Sequence, residues 1–155
     1  MDAAWIVSAN AGRAMIYAQE SAKGALREIT DMANPAARLR TADTESDKIG
    51  PTAATKSMHN VGAATPGKTY EPNQTPEERQ TELFARAVSD YLRQGQVEGR
   101  FKKLILVAGP EFLGALRQLM DPNVLKVVSK EINKDYTQYK PAQLLEMMQA
   151  HEAKA

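Results

Sequence analysis

The stretch KKLILVAGPEFLGALRQLM, residues 102–120, constrains the fold more than any other part of the sequence. Its apolar run LILVAG is continuous, which is typical of a central strand that is covered on both faces. Gly109 and Pro110 interrupt this run, and apolar residues then recur at helical spacing as far as Met120. The stretch therefore predicts a buried strand that is followed directly by a helix.

Three segments near the N-terminus have the alternation of strands, at residues 3–10, 14–21 and 25–32. Because the connections between them are short, we expect an antiparallel meander. Asn34 and Pro35 resemble a cap and first position of a short helix over 35–40. Residues 41–74 are interrupted by proline and glycine without a sustained period, which predicts a long flexible loop.

A long helix is predicted over residues 75–96, because Thr75 and Glu78 form a capping box and Pro76 suits the first turn. Gly95 and Gly99 are expected to end it. The face predicted to be buried consists of apolar residues at helical spacing: Leu83, Phe84, Ala87, Val88, Tyr91 and Leu92.

The last part of the chain contains one ambiguous segment and one helix. Residues 126–135 fit either a helix or a strand, whereas residues 140–155 predict a helix with Leu144, Leu145, Met147 and Met148 inward. A meander followed by alternating helices and strands predicts an α/β fold, in which a mixed sheet carries helices on its faces. This element order is analogous to the ribonuclease-H-like layout.

The chain has 155 residues, 43% of them hydrophobic and 25% charged, which fits a single globular domain spanning 1–155. Twenty basic and 19 acidic side chains leave a net charge of +1, which argues against a protein that coats nucleic acid but permits a local basic patch. The sequence has no cysteine, so disulfides, thiolate catalysis and cysteine-bound metals are excluded. Neither a signal-peptide core nor a membrane-spanning stretch is present, and we expect a cytoplasmic protein.

Four stretches resemble the bacterial host-attachment protein family: WIVSANAGRAMIYA, FARAVSDYL, RFKKLILVAGPEFLGALR and VVSKEINKDYTQYKPAQLLEMM. The family pattern L-V-A-x-P-x-x-L-G-x-L-R within the third stretch is the most specific of these. The resemblance implies kinship with the central domain of archaeal and eukaryotic peptide release factors. It also implies a ribonuclease-H-like mixed sheet of five strands, β-β-β-α-β-α-β-α, with a strand from about Val127 to Asn133. Lys48 lies in a segment that resembles the S-D-x-x-G loop of the family.

Two departures from the family patterns bear on function. The chain has Asn10 where the family commonly carries aspartate after the first strand, and it lacks the Gly-Gly-Gln signature of release factors. Peptide release by that mechanism is therefore not expected. A ribonuclease-H-like nuclease needs several carboxylates that converge on two metal ions, and an amide at position 10 cannot supply that charge. The sequence favours a non-enzymatic binding protein, with a metal-dependent nuclease or other hydrolase near Asn10 and Asp135 as the alternative.

We expect RNA, the ribosome or a protein as the partner, no membrane association, and no catalytic residue, cofactor or metal ligand. Because the family is named after a phenotype, an indirect role in attachment is expected. A basic patch for phosphates is predicted from residues Arg100, Lys102, Lys103, Lys126, Lys130 and Lys134 together with Arg13 and Arg117, unless these side chains are simply a solvated rim. The candidate binding residues are Asn10, Arg13, Lys48, Gly109, Pro110, Arg117, Lys134 and Asp135. The elbow at Gly109 and Pro110 is either a backbone anion site or a structural turn.

Overall fold

A computed structural model describes residues 3–21, 23–36 and 74–154 of the chain. The predicted flexible loop, apart from Gln74, lies outside the described residues, as do Lys48 and positions 37–40 of the predicted short helix. The described residues form a mixed sheet of five strands with helices on both faces. This arrangement confirms the predicted α/β class and the predicted number of strands.

The sheet combines an antiparallel meander with two parallel strands. The five strands are β1 (Ala4–Ala9), β2 (Arg13–Gln19), β3 (Arg27–Ala33), β4 (Lys103–Ala108) and β5 (Val128–Ile132). Their order across the sheet is β3-β2-β1-β4-β5, in which β1 pairs antiparallel with β2 and parallel with β4. The carboxyl ends of β1, β4 and β5 consequently meet at one edge of the sheet, and their amino ends meet at the opposite edge.

Four helices complete the described structure: α1 (Pro76–Val97), α2 (Pro110–Leu119), α3 (Pro122–Leu125) and α4 (Pro141–Lys154). One face of the sheet packs against α1, α2 and α3, and the other packs against α4. On β4, Leu104 and Leu106 point to the first face and Val107 to the second, and all three are fully buried. The prediction of a central strand covered on both faces is therefore confirmed.

Helix α1 begins as predicted but buries a different face. The Thr75 hydroxyl accepts a 3.1 Å hydrogen bond from the backbone N–H of Glu78, as expected for a cap. The predicted burial of Leu83 and Ala87 is wrong, since Leu83 is 45% exposed and Ala87 is exposed. The small residues Ala85 and Ser89 face the core in their place.

Gly95 does not end α1, contrary to the prediction. It lies in the last turns of the helix, where a Cβ would come within 2.7 Å of the Trp5 ring. Its missing side chain thus makes room for Trp5. The helix continues to Val97, and Gly99 follows with φ +72°, the left-handed conformation that commonly ends helices.

The ambiguous segment near the C-terminus contains strand β5, as the family resemblance implied. Helix α4 then crosses the second face of the sheet. It buries Leu144 and Met148, whereas Leu145 and Met147 are only half-buried. The predicted inward positions of Leu144 and Met148 are therefore confirmed, and the buried face of the helix is narrower than expected.

Candidate functional site

The carboxyl edge of the sheet brings together three of the sequence-predicted residues. Asn10 follows β1, Gly109 follows β4, and Asp135 lies in the loop after β5. The Asn10 side-chain nitrogen donates hydrogen bonds of 3.1 Å to Asp135 Oδ2 and of 3.1 Å to Thr137 Oγ1. A Cβ placed on Gly109 would lie 3.9 Å from the Asp135 Cβ, so the backbone of the elbow borders the same group.

Both the oxygen and the nitrogen of the Asn10 side-chain amide form hydrogen bonds. Its oxygen accepts hydrogen bonds from the backbone N–H groups of Gly12, at 2.7 Å, and Arg13, at 2.9 Å, which closes the turn between β1 and β2. Its nitrogen makes the long-range bonds to the loop after β5. An aspartate at this position could accept the two turn bonds, but it could not donate to Asp135 or Thr137.

Thr137 completes what we call the amide–carboxylate cluster, which consists of Asn10, Asp135 and Thr137. The Thr137 hydroxyl and backbone N–H donate to Asp135 Oδ1 at 2.7 and 3.0 Å. Partial burial alone would raise the pKa of Asp135, but the hydrogen bonds from Thr137 and Asn10 together lower it. The Asp135 carboxylate is therefore held ionised by neutral donors.

Two residues of this edge were missed as site residues by the sequence analysis. Thr137 is buried, and the Asp-x-Thr spacing of Asp135 and Thr137 is a known turn pattern that could have indicated their contact. Asn34, expected only as a helix cap, is 2% exposed, and its side chain donates to the Ala11 carbonyl at 2.9 Å. It thereby holds the β1–β2 turn against the end of β3.

The other predicted residues of this region do not join the cluster. Arg13 is exposed and pairs with Asp31 at 2.9 Å. Arg117, on α2, pairs with Glu131 on β5, and this contact raises the pKa of the guanidinium further above its ordinary value. Both arginines are thus already neutralised by acidic partners.

Two further predicted residues are sequence neighbours of residues at this edge, since Pro110 follows Gly109 and Lys134 precedes Asp135. Pro110 occupies the first turn of α2. The N-cap residue of this helix is Gly109, which has no side chain that could accept a capping hydrogen bond. The Gly109 carbonyl accepts from the Leu113 N–H at 2.9 Å, so the elbow acts as an ordinary helix start. Lys134 is exposed and forms no ion pair with any residue in the described ranges.

The amino edge of the sheet has a different electrostatic character. Backbone hydrogen bonds from Lys102 to Ala3, 2.8 Å, and from Leu104 to Val127, 2.9 Å, align the starts of β1, β4 and β5. Four exposed cations lie at or just before these strand starts, and we call them the basic edge: Arg100, Lys102, Lys103 and Lys126.

The cations of the basic edge are not neutralised by the part of the chain that the structure describes, where ion pairs form only at other positions. Arg100 is fixed by its stacking on Trp5, with its guanidinium carbon 5.1 Å from the ring centroid. Arg13 and Lys134 lie at the opposite edge. The single basic patch expected from the sequence is therefore divided between two edges.

The described structure is that of a mixed α/β protein with a hydrogen-bonded carboxylate cluster at one edge of the sheet. At the opposite edge are exposed cations that have no acidic partner among the described residues. The sequence model of a family described as "Protein required for attachment to host cells" matches residues 5–148. Since the match covers most of the chain, the protein belongs to this family, as the resemblance indicated.

One curated relative adds a second comparison. The chain is similar to "Uncharacterized protein RP470" of Rickettsia prowazekii, with 33% identity over 78 residues. The similarity covers 49% of this chain and 52% of the relative, so the chain spans about half the length of the curated relative it matches. The name of that relative states no activity.

The described residues contain neither a membrane-spanning helix nor a group of side chains placed to bind a metal. Over residues 3–21, 23–36 and 74–154, no helix is long and apolar enough to cross a membrane. Within the same ranges, no group of three histidine, aspartate or glutamate side chains is placed to hold a metal ion.

Proposed function

We propose that this protein is a non-enzymatic binding protein that recognises RNA on the ribosome through the basic edge. The observation that carries the proposal is the group of four exposed cations without acidic partners in the described structure: Arg100, Lys102, Lys103 and Lys126. Phosphate groups release condensed counterions when such side chains bind them, and this release supplies much of the affinity for nucleic acids.

The position of these cations on the sheet strengthens the proposal. Lys103 begins β4, and Lys126 is the C-terminal cap of α3, two residues before β5 begins. Because β4 and β5 are neighbours in the sheet and adjacent strands are about 4.8 Å apart, both residues lie near the same edge. A bound polyanion offsets the positive charge at this edge.

The fold supports a relationship with translation factors as part of the same proposal. A three-stranded meander extended by two parallel strands is consistent with a ribonuclease-H-like sheet, the fold of the release-factor central domain. Peptide release factors act on the ribosome, and we propose the same surface, which is rich in RNA, for this chain. The proposal places this chain in the cytoplasm, and any effect on host attachment is then indirect.

Ribosome co-sedimentation at two salt concentrations tests the proposal. At about 50 mM salt we expect association that weakens steeply by about 200 mM, as counterion release requires. Replacing Lys102 and Lys126 by glutamine should reduce the slope of log affinity against log salt by about two, one for each phosphate contact. The matched control replaces Lys134 and Lys140 by glutamine, which removes the same charge from exposed positions outside the basic edge.

The results that would contradict the proposal are specific. Absence of association at low salt would remove RNA and the ribosome as partners and leave a protein partner. An equal reduction of the salt slope in the control variant would indicate that the RNA contacts lie at the carboxyl edge instead. RNA cleavage that requires Mg²⁺ or Mn²⁺ and is abolished by Asp135→Ala would replace binding by the nuclease alternative.

A further inference from the structure

A groove of about 940 Å³ lies between helix α4 and the amino half of the sheet, and the RNA proposal does not explain it. Its apolar wall is formed by Ile105 of β4 and by Leu145 and Met148 of α4. Its charged lining contains three lysines and two glutamates: Lys23, Lys103, Lys130, Glu20 and Glu152. The volume lies within the usual range for small-molecule sites, about 300–1,000 Å³.

Ile105 is the reason to consider the groove a binding site. It lies in the central strand, between Leu104 and Leu106, which are both fully buried on the other face. Ile105 itself is only half-buried, although it belongs to the face that α4 covers. The groove beside it is lined by the small residues Ala4 and Ala153, which leave part of this apolar surface open.

The charges of the groove indicate the kind of ligand. Lys130 forms an ion pair with Glu152, so these two side chains neutralise each other. Lys23 and Lys103 have no acidic partner within the described residues, and Glu20 is the one remaining glutamate of the lining. The lining therefore carries an excess of one positive charge beside an apolar wall.

We propose that the groove binds an organic monoanion with an apolar tail, of the size of a medium-chain fatty acid. The carboxylate of the ligand lies at Lys103 and Lys23, where it satisfies the excess charge. The tail lies along Ile105 and Leu145, beside the buried Met148, and removes the exposed apolar surface of the first two from water. This inference does not rest on the proposed RNA binding, although Lys103 belongs to both surfaces.

The probe for the test is decanoate, titrated below its micelle concentration into the full chain and followed by calorimetry. We expect saturable binding of one decanoate per chain. Lys103→Gln should weaken it about tenfold, because a charge-assisted hydrogen bond is lost. Leu145→Glu should weaken it at least as much, since it places a carboxylate in the apolar wall. Lys102→Gln is the matched control, because Lys102 is the sequence neighbour of Lys103 but does not line the groove, and this variant should bind decanoate normally.

Three outcomes would overturn the inference. The first is no saturable binding of decanoate, and the second is equal binding by wild type, Lys103→Gln and Leu145→Glu. The third is equal affinity for decyltrimethylammonium, which has the same tail and the opposite charge. A concentration-dependent dimer that Leu145→Glu abolishes would instead assign the groove to a second copy of the chain. Loss of ribosome association in Lys102→Gln with normal decanoate binding would separate the two proposals.

Discussion

Gly95→Ala should destabilise the protein, although alanine is the better helix former. A Cβ at position 95 would lie 2.7 Å from Trp5 Cη2 and 3.2 Å from Phe101 Cε1. The Trp5 ring is 1% exposed and stacks with Tyr91 and Phe101, at centroid distances of 5.9 and 4.6 Å. Because the indole is almost completely buried, the ring cannot move away without disturbing the core.

The change in the free energy of unfolding caused by Gly95→Ala is the difference between a packing cost and a gain in helix propensity. Overpacking a well-filled core by one methyl group costs about 1–3 kcal/mol. Replacing glycine by alanine inside a helix returns about 1 kcal/mol. The free energy of unfolding should therefore fall by up to about 2 kcal/mol, since the packing cost against the rigid Trp5 ring outweighs the gain in helix propensity. For a chain of this length, that loss lowers the melting temperature by up to about 8 °C.

Gly114→Ala is the matched control for this prediction. Gly114 lies inside α2, and a Cβ there would meet no atom within 4 Å. The same gain in helix propensity then acts without a clash, and the variant should be more stable by about 0.5–1 kcal/mol. Urea unfolding of both variants, with unchanged m-values, gives the two free energies. If Gly95→Ala were stabilised like Gly114→Ala, the packing argument at Trp5 would be refuted.

Three further predictions concern the carboxyl edge. Asp135 has a lowered pKa in the folded protein, so its carboxylate stabilises the fold above the ordinary pKa of about 4, and this contribution is lost as the pH falls through the folded value. Asp135→Asn should therefore flatten the acid limb of stability against pH, measured by urea unfolding between about pH 2 and 5. Asn10→Asp places a second carboxylate against Asp135, which raises the pKa of one member of the pair. This variant should be less stable than wild type at neutral pH, and the deficit should shrink in acid, when thermal melts at two pH values are compared. Arg13→Ala should change the free energy of unfolding by at most about 0.5 kcal/mol in denaturant titrations, because its ion pair with Asp31 leaves both side chains 45% exposed.

The parts of the fold that were predictable from the sequence have local signals. The apolar run at 104–108 and the cap at Thr75 correctly located β4 and the start of α1. The buried face of α1 was not predictable in detail, because the positions of Ala85 and Ser89 depend on how closely the helix approaches the sheet. Gly95 was misjudged for a similar reason, since its role is set by Trp5, which is 90 residues away in the sequence.

The candidate site shows the same limit. Asn10, Gly109 and Asp135 follow three strands that were predicted from the sequence, and the topology places these strands side by side and parallel, so that their carboxyl ends meet. The pairing of Arg117 with Glu131 depends on where α2 lies over β5, which no local pattern encodes. The basic patch predicted from the sequence therefore included two arginines, Arg13 and Arg117, that have acidic partners.

The Asn10 amide limits which ligands the carboxyl edge of the sheet can bind. Its nitrogen donates to Asp135 and Thr137, so it occupies lone pairs that an attacking water or a cation would need. A carboxylate at position 10 could not make these bonds and would repel Asp135 instead. With an amide at position 10, a neutral side chain donates hydrogen bonds to Asp135 and Thr137, and these bonds fix the loop after β5 at the carboxyl edge. At the opposite edge, Lys102 and Lys126 have no acidic partner in the described structure, and this is the edge on which the proposed recognition of a polyanion rests.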